Sequence, residues 1–212
     1  MNILQTYHHW KRKVQPEKLP RFAGELQYLF PEIRQGYVDF LRENKSVLRP
    51  IDDVSPDQVA LNQDKKWKAL FLLAYENEND CTLNEFPSLK ALAKKYPEIK
   101  LMLFSTLEPG KQIPPHEGRN IAVHRLQLGI DIQHPESTEL RVENVRIQLK
   151  EGELFVFDDT FEHEAKNDGP TNRTVLIIDY EKSWPFPISI LQKKYLKRIA
   201  HSSYIQDAVK RW

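Results

Sequence analysis

EGELFVFDDTFEHEAKNDGPTNRTVLIIDY, residues 151–180, holds three short runs cut apart by turn formers. Residues 153–157 and 174–180 are dense in Val, Ile, Leu and Phe, residue types that suit a pleated and largely buried surface. Residues 163–167 alternate in the period of two that a strand requires. Between the runs stand Asp158-Asp159 and Asp168-Gly169-Pro170, which turn the chain by side-chain to backbone bonding, by free φ or by fixed φ. Short apolar runs separated in this way predict an all-β unit.

Outward from this stretch the same texture continues back to Pro97. Residues 100–107 predict a strand closed by Pro109-Gly110, and residues 122–132 a second. Residues 139–142 and 145–149 predict a hairpin around Glu143-Asn144. About seven strands at this spacing fit a jelly roll, so the expected class is mainly β with flanking helices, a double-stranded β-helix of cupin-like form. Further upstream, residues 67–75 form an apolar stretch readable as a strand, and residues 84–96 a short helix with Pro87 near its start. Leu26, Leu29, Phe30, Ile33, Tyr37, Phe40 and Leu41 recur at helical spacing, and Pro31 divides them into two expected helices. Residues 52–66 are polar and read as a connection. In the tail, Ile188, Leu191, Tyr195 and Ile199 share a helical face, with Lys193, Lys194, Lys197 and Arg198 mostly off it. The expected organisation is a helical annex over residues 1–66, a jelly roll over 67–187 and a helical tail over 188–212, together one structural domain.

With 212 residues and 40% hydrophobic content the chain can bury one substantial core. Its formal net charge of +1 provides no bulk field for nucleic acid, so an anionic partner has to meet a local patch. Cys81 is the single cysteine; it can form no internal disulfide and reads as a partly buried thiol in a reducing cytoplasm. The opening MNILQTYHHWKRK lacks the apolar run of a secretion signal. The longest apolar run, residues 69–75, is far short of the ~20 residues that span a bilayer, so a soluble, cytoplasmic protein is expected. The basic tail reads either as a helix packed on the barrel with a solvated side or as a peripheral membrane contact.

Two histidines carry the chemistry. His116 stands in the proline-flanked PPHEGRN, His163 in FEHE, and Arg173 follows ten residues after His163. Neutral imidazoles suit iron, and few protein ligands leave positions open for a co-substrate and oxygen. A guanidinium fork matches a carboxylate and keeps its charge. Arg125 and Gln127 share one strand face, as do Arg173, Val175, Ile177 and Asp179 on theirs, and a charge turned into a small barrel needs an anionic partner.

From about Trp67 to Tyr180 the chain resembles the aspartyl/asparaginyl β-hydroxylase family of 2-oxoglutarate oxygenases, through PHEG (115–118), RLQLGI (125–130), EGELFVFDDTFEHEA (151–165) and Arg173 before an apolar strand ending at Asp179. The resemblance implies Fe(II), 2-oxoglutarate and O2 as cofactor and co-substrates, with His116 and His163 as iron ligands. It implies Arg173 on the distal carboxylate of 2-oxoglutarate, assisted by Ser105, eleven residues before His116. Arg125, nine after His116, would approach the other end. Two features depart from the family pattern. Gln127 stands where a histidine is common, and it can donate a hydrogen bond but cannot carry charge. DYEKSWPFP replaces the usual D-x-W-H-P ending and looks closer to bacterial relatives that hydroxylate a lipid A acyl chain. Gly118, two after His116, agrees with the family, which has glycine where most iron oxygenases place a carboxylate ligand; Glu117 is expected to point away. Asp158 or Asp159 is expected to orient His163 or its loop, and Glu162 and Glu164 either help or are solvated. The expected reaction is hydroxylation of an unactivated C–H bond, first on the β-carbon of an aspartyl or asparaginyl residue in a peptide or amino acid. The rivals are a lipid acyl chain, halogenation through an open position, and a non-catalytic jelly-roll binding module.

Overall fold

The computed structural model describes residues 2–16, 18–44 and 47–212. In chain order its helices are α1 (Ile3–Lys11), α2 (Ala23–Glu43), α3 (Ile51–Val54), α4 (Asp80–Leu83), α5 (Pro87–Lys95), α6 (Ile188–Ala200) and α7 (Ser203–Val209). Its strands are β1 (Arg49–Pro50), β2 (Trp67–Ala74), β3 (Asn77–Glu78), β4 (Ile99–Leu107), β5 (Lys111–His116) and β6 (Val123–Ile132). They continue as β7 (Thr138–Val142), β8 (Val145–Ile147), β9 (Leu154–Phe157), β10 (His163–Asn167) and β11 (Arg173–Glu181). A large sheet in the order β1-β2-β4-β11-β6-β9, with β3 beside β2, faces a four-stranded sheet in the order β5-β10-β7-β8. All strand pairs are antiparallel, and the result is a jelly roll flanked by helices.

Parity decides what each face of the large sheet carries. Even positions, Phe104, Leu126, Leu128, Leu176 and Ile178, pack outward under α2 and α5, where they meet Leu26, Ile33 and Leu89. Tyr37 from α2 reaches the sheet, and its hydroxyl joins Thr106 (3.0 Å) and Thr174 (3.3 Å) in a buried, satisfied polar knot. Odd positions, Leu103, Leu107, Val175 and Ile177, face the small sheet's Ile113, Leu140, Val142 and Ala165. β11 lies at the centre of the large sheet and is buried from Arg173 to Tyr180.

Several expectations need correction. Pro31 does not divide the first helical stretch: α2 runs through it, because Pro31 and the residue whose carbonyl it leaves free, Gln27, lie on the exposed side while Leu26, Ile33 and Tyr37 anchor both halves. The expected connection over residues 52–66 contains α3 and a short 3-10 turn at Pro56–Leu61. Among the described residues the strands number eleven, since β5 passes through Pro114 and Pro115 and two further strands are only two residues long. β5 tolerates prolines as the edge of the small sheet, where one flank needs no donor. The tail forms two helices, and α6 buries Gln192, Leu196 and Ala200 instead of the face through Leu191, which is exposed. Cys81 is exposed.

Candidate functional site

β5 and β10 lie side by side with His116 directly opposite His163. From His163 to Ala165 on β10, the partner stretch on β5 runs from His116 to Ile113, so β5 holds one extra residue around Pro114-Pro115. The bulge ends at His116, and the two imidazole rings meet with centroids 4.2 Å apart. Each ring is fixed by its own chain: His116 Nδ1 lies 2.9 Å from the Pro114 carbonyl and His163 Nδ1 2.9 Å from the Phe161 carbonyl. A carbonyl only accepts, so both rings carry their proton on Nδ1 and present Nε2 as a lone pair. Burial lowers the pKa of both rings, and with His116 beside it His163 is brought down to about 3. Both shifts favour the neutral form of the rings, in which the preoriented nitrogens can act as donors to a metal. Phe157 closes edge-on against His163 at 5.3 Å.

The loop after β9 splits its two aspartates between different environments. Asp159 accepts the Arg125 guanidinium at 3.3 Å, its carbonyl accepts Gly118 N–H at 2.7 Å, and its Oδ1 is buried with no partner. A side chain at Gly118 would start inside this carboxylate, under 3.0 Å from it. Burial raises the Asp159 pKa to about 6, against the pull of Arg125. Asp158 turns the other way, to Lys182 Nζ at 2.6 Å. A chain of donors then runs from Lys182 to His8 Nδ1 (3.4 Å), from His8 Nε2 to Thr160 Oγ1 (3.0 Å), and from Thr160 to Asp158 (2.8 Å). α1 is thereby tied to the loop that leads into His163. Glu162 and Glu164 are taken up by Arg141.

Arg125 and Arg173 differ sharply in their partners. Arg125 donates both ends of its fork to Asp179 at 2.8 Å and 2.8 Å, and although burial opposes its charge, the two carboxylates hold its pKa above the ordinary value. Arg173 is 3% exposed, reaches Gln127 Oε1 at 3.1 Å, and has no carboxylate partner among the described residues. Its Nε is buried without an acceptor, and burial lowers its pKa to about 10. Gln127 lies opposite Ile177, so the guanidinium extends along β11 toward the end where Asp179 and Arg125 sit. Ser105, opposite Val175 on the same inner face, is buried and accepts Trp67 Nε1 at 2.9 Å.

Above the imidazoles opens a cavity of about 650 Å³. His116, His163, Glu117, Gly118, Arg125, Asp159 and Asp179 line one side. Trp67, Phe71, Leu101, Leu103 and Ile177 form its floor, and Tyr195 and Ile199 of α6 with Ile205, Ala208 and Trp212 form its roof. Of the residues singled out by sequence, His116, His163 and Arg125 border the cavity, while Arg173, Ser105 and Gln127 lie on the inner face of the large sheet behind it. Glu117, exposed, also borders the cavity. Sequence reasoning missed Asp179 as the partner of Arg125 and Trp67 as the partner of Ser105. Parity did put Asp179 on the correct face, but the register that sets it beside Arg125 has no local signal. Among the described residues no group of three His, Cys, Asp or Glu side chains could hold a metal, so any ion here would rest on the imidazole pair.

Residues 29–183 match the family model described as aspartyl/asparaginyl beta-hydroxylase. The ornithine lipid ester-linked acyl 2-hydroxylase of Rhizobium tropici is 30% identical over 189 residues, covering 89% of this chain and 67% of that protein. The human aspartyl/asparaginyl beta-hydroxylase is 28% identical over 129 residues, covering 58% of this chain and 17% of that one, so this chain corresponds to a small part of it. Among solved structures, the Schizosaccharomyces pombe Cnp3 cupin domain aligns with TM-score 0.40 at 12% identity over 61% of this chain and 71% of that chain. The cupin domain of an XRE-family regulator from Enterobacter cloacae aligns with TM-score 0.38 at 12% identity over 56% and 99%.

Proposed function

The chain belongs to the aspartyl/asparaginyl β-hydroxylase family, and on that footing we propose that it is an Fe(II)- and 2-oxoglutarate-dependent dioxygenase that hydroxylates a lipid acyl chain. The observation that carries the co-substrate is Arg173. A buried guanidinium without a carboxylate is costly, and a small organic acid supplies what the chain does not. The donor set fits iron: two Nε2 lone pairs side by side, each ring pinned through Nδ1, and a glycine at position 118 that adds no third ligand.

His116 and His163 would hold Fe(II), which with O2 and 2-oxoglutarate supplies the oxidation that puts one oxygen atom into a C–H bond while the co-substrate leaves as succinate and carbon dioxide. The chain's own residues bind and orient. Arg173 grips the far carboxylate, Ser105 adds a hydroxyl held in place by Trp67, and Gln127 aims the guanidinium. Arg125, held by Asp179 and Asp159, stiffens the cavity wall, and the apolar floor and roof keep water away from the reacting carbon.

Three features favour an acyl chain over an aspartyl residue. The walls are mainly aromatic and aliphatic, and Arg125, which could have met a substrate carboxylate, is already neutralised by Asp179. The Rhizobium relative, named for acyl hydroxylation, is similar over most of the chain. Arg119 at the cavity edge lends some support to the aspartyl reading, as a cation with no acid partner among the described residues.

The test is succinate release with Fe(II) and 2-oxoglutarate, with and without lipid extract or an aspartyl peptide, read together with a one-oxygen mass gain. Arg173→Ala is expected to raise the 2-oxoglutarate requirement about a hundredfold, as for loss of a charged hydrogen-bond pair, while Co(II) binding stays near that of the parent. Loss of Co(II) binding, or an unchanged 2-oxoglutarate requirement, contradicts the assignment.

A further inference from the structure

We propose that the face built by α1 and the outer side of α6 docks on an anionic phospholipid bilayer, with the basic cavity beside α1 receiving a lipid phosphate. α6 divides its sides cleanly. Gln192, Leu196 and Ala200 are buried, and Tyr195 and Ile199 line the apolar cavity. Outward stand Ile190 and Leu191 with Lys193, Lys194, Lys197 and Arg198, and none of these four cations has a carboxylate partner among the described residues. Phe186, just before the helix, is 79% exposed.

α1 continues this surface. Ile3, Tyr7 and Trp10 share a helical face, Tyr7 meets Trp184 edge-on at 5.3 Å, and α1 packs against α6. Trp10 is 74% exposed. Between α1 and residues 182–184 lies a cavity of about 780 Å³ bordered by Lys11, Arg12, Lys18, Arg21 and Lys182. Its three acids are already engaged, Glu98 by Arg21, Asp158 by Lys182 and Glu181 by Lys100. Lys11, Arg12 and Lys18 have no carboxylate partner among the described residues. A chain of net charge +1 that gathers these cations on the outer side of α6 and around the cavity beside the α1 helix it packs against is oriented by an anionic surface.

Exposed Trp and Phe among Lys and Arg are the mixture that settles into a headgroup layer, and a nucleic acid would leave the apolar tips unburied. Docking goes beyond the hydroxylase reading and requires no turnover. It would set the cavity roof against the membrane, from which an acyl chain could enter.

The full chain is floated with vesicles of phosphatidylcholine, with and without phosphatidylglycerol. The expected result is binding to the anionic vesicles alone, released by salt. Combining Lys193→Gln, Lys194→Gln, Lys197→Gln and Arg198→Gln is expected to lower partitioning about tenfold or more. Trp10→Ser with Phe186→Ser lowers it comparably and decides the matter should the first variant misfold. Absence of flotation, equal binding to neutral vesicles, or variants that bind like the parent would overturn the proposal. So would thermal stabilisation by inorganic phosphate without vesicle binding, which marks a small-anion site. Failure here leaves the succinate assay untouched, so the two readings fail separately.

Discussion

A methyl group at residue 118 would collide with a carboxylate that has little room to move. Asp159 is buried, bonded to Arg125 and packed beside the backbone it would have to leave. Gly118→Ala is therefore expected to destabilise the fold by about 1–3 kcal/mol, the usual cost of overpacking. Asp159→Ala in the same chain should recover much of that loss, because Arg125 keeps Asp179 while the clash disappears. Urea unfolding of both single variants and the double gives the coupling; strictly additive effects contradict the contact. At this scale the sequence was partly legible. His116, His163 and Arg173 were singled out by residue type and, mainly, by the family resemblance of the motifs around them, but the filling of the Gly118 space by Asp159 depends on two loops meeting, and nothing within either loop announces it.

Elements were most legible where the environment matched the local pattern. β11 reads as a strand because it is buried nearly throughout, and the residue 143–144 turn was recognised although Glu143 takes a positive φ, a conformation more usual for Asn or Gly. β5 was missed because its prolines argue against a strand until its place at a sheet edge is known. The brace between α1 and the β9–β10 loop also came only from the structure, since His8 and Thr160 are 152 positions apart. Removing Lys182 leaves the buried Asp158 side chain without its cation, so Lys182→Met is expected to cost about 3–5 kcal/mol. Asp158→Asn added to it removes the stranded charge, keeps an acceptor for Thr160, and should restore a good part of that cost in the same unfolding assay. A double variant no more stable than Lys182→Met alone would show that the loop does not depend on this ion pair.

On the scale of the whole molecule, composition bounded the core and excluded a strong net field, but it could not show which ionisable groups the fold buries. His8, buried, and His124, half-buried, are such groups, lying on the α1 side of the barrel. Burial, reinforced by Lys182, lowers both from 6.5 to about 4. Between those values the unfolded chain binds protons that the folded chain refuses, so each histidine makes stability rise with pH across that window. Asp159 has the opposite sign. Burial raises it from 3.8 to about 6, and the folded chain keeps a proton that the unfolded chain gives up. His163, brought down to about 3, acts in the same direction as His8 and His124, so three histidines against one carboxylate leave a net of about two protons, a slope of roughly 2.7 kcal/mol per pH unit near pH 5. Burial shifts His116 the same way and Asp131 the opposite way. Thermal melts of the metal-free protein should therefore fall as pH drops from about 6.5 to 4.5, before the paired surface carboxylates begin to protonate. His124→Asn removes one of these protons and should roughly halve the slope in this window, by about 1.4 kcal/mol per pH unit. A parent protein whose melting temperature holds level or rises on acidification would mean that these histidines are not buried in the neutral form, and that α1 does not pack on the loop that orients the imidazole pair.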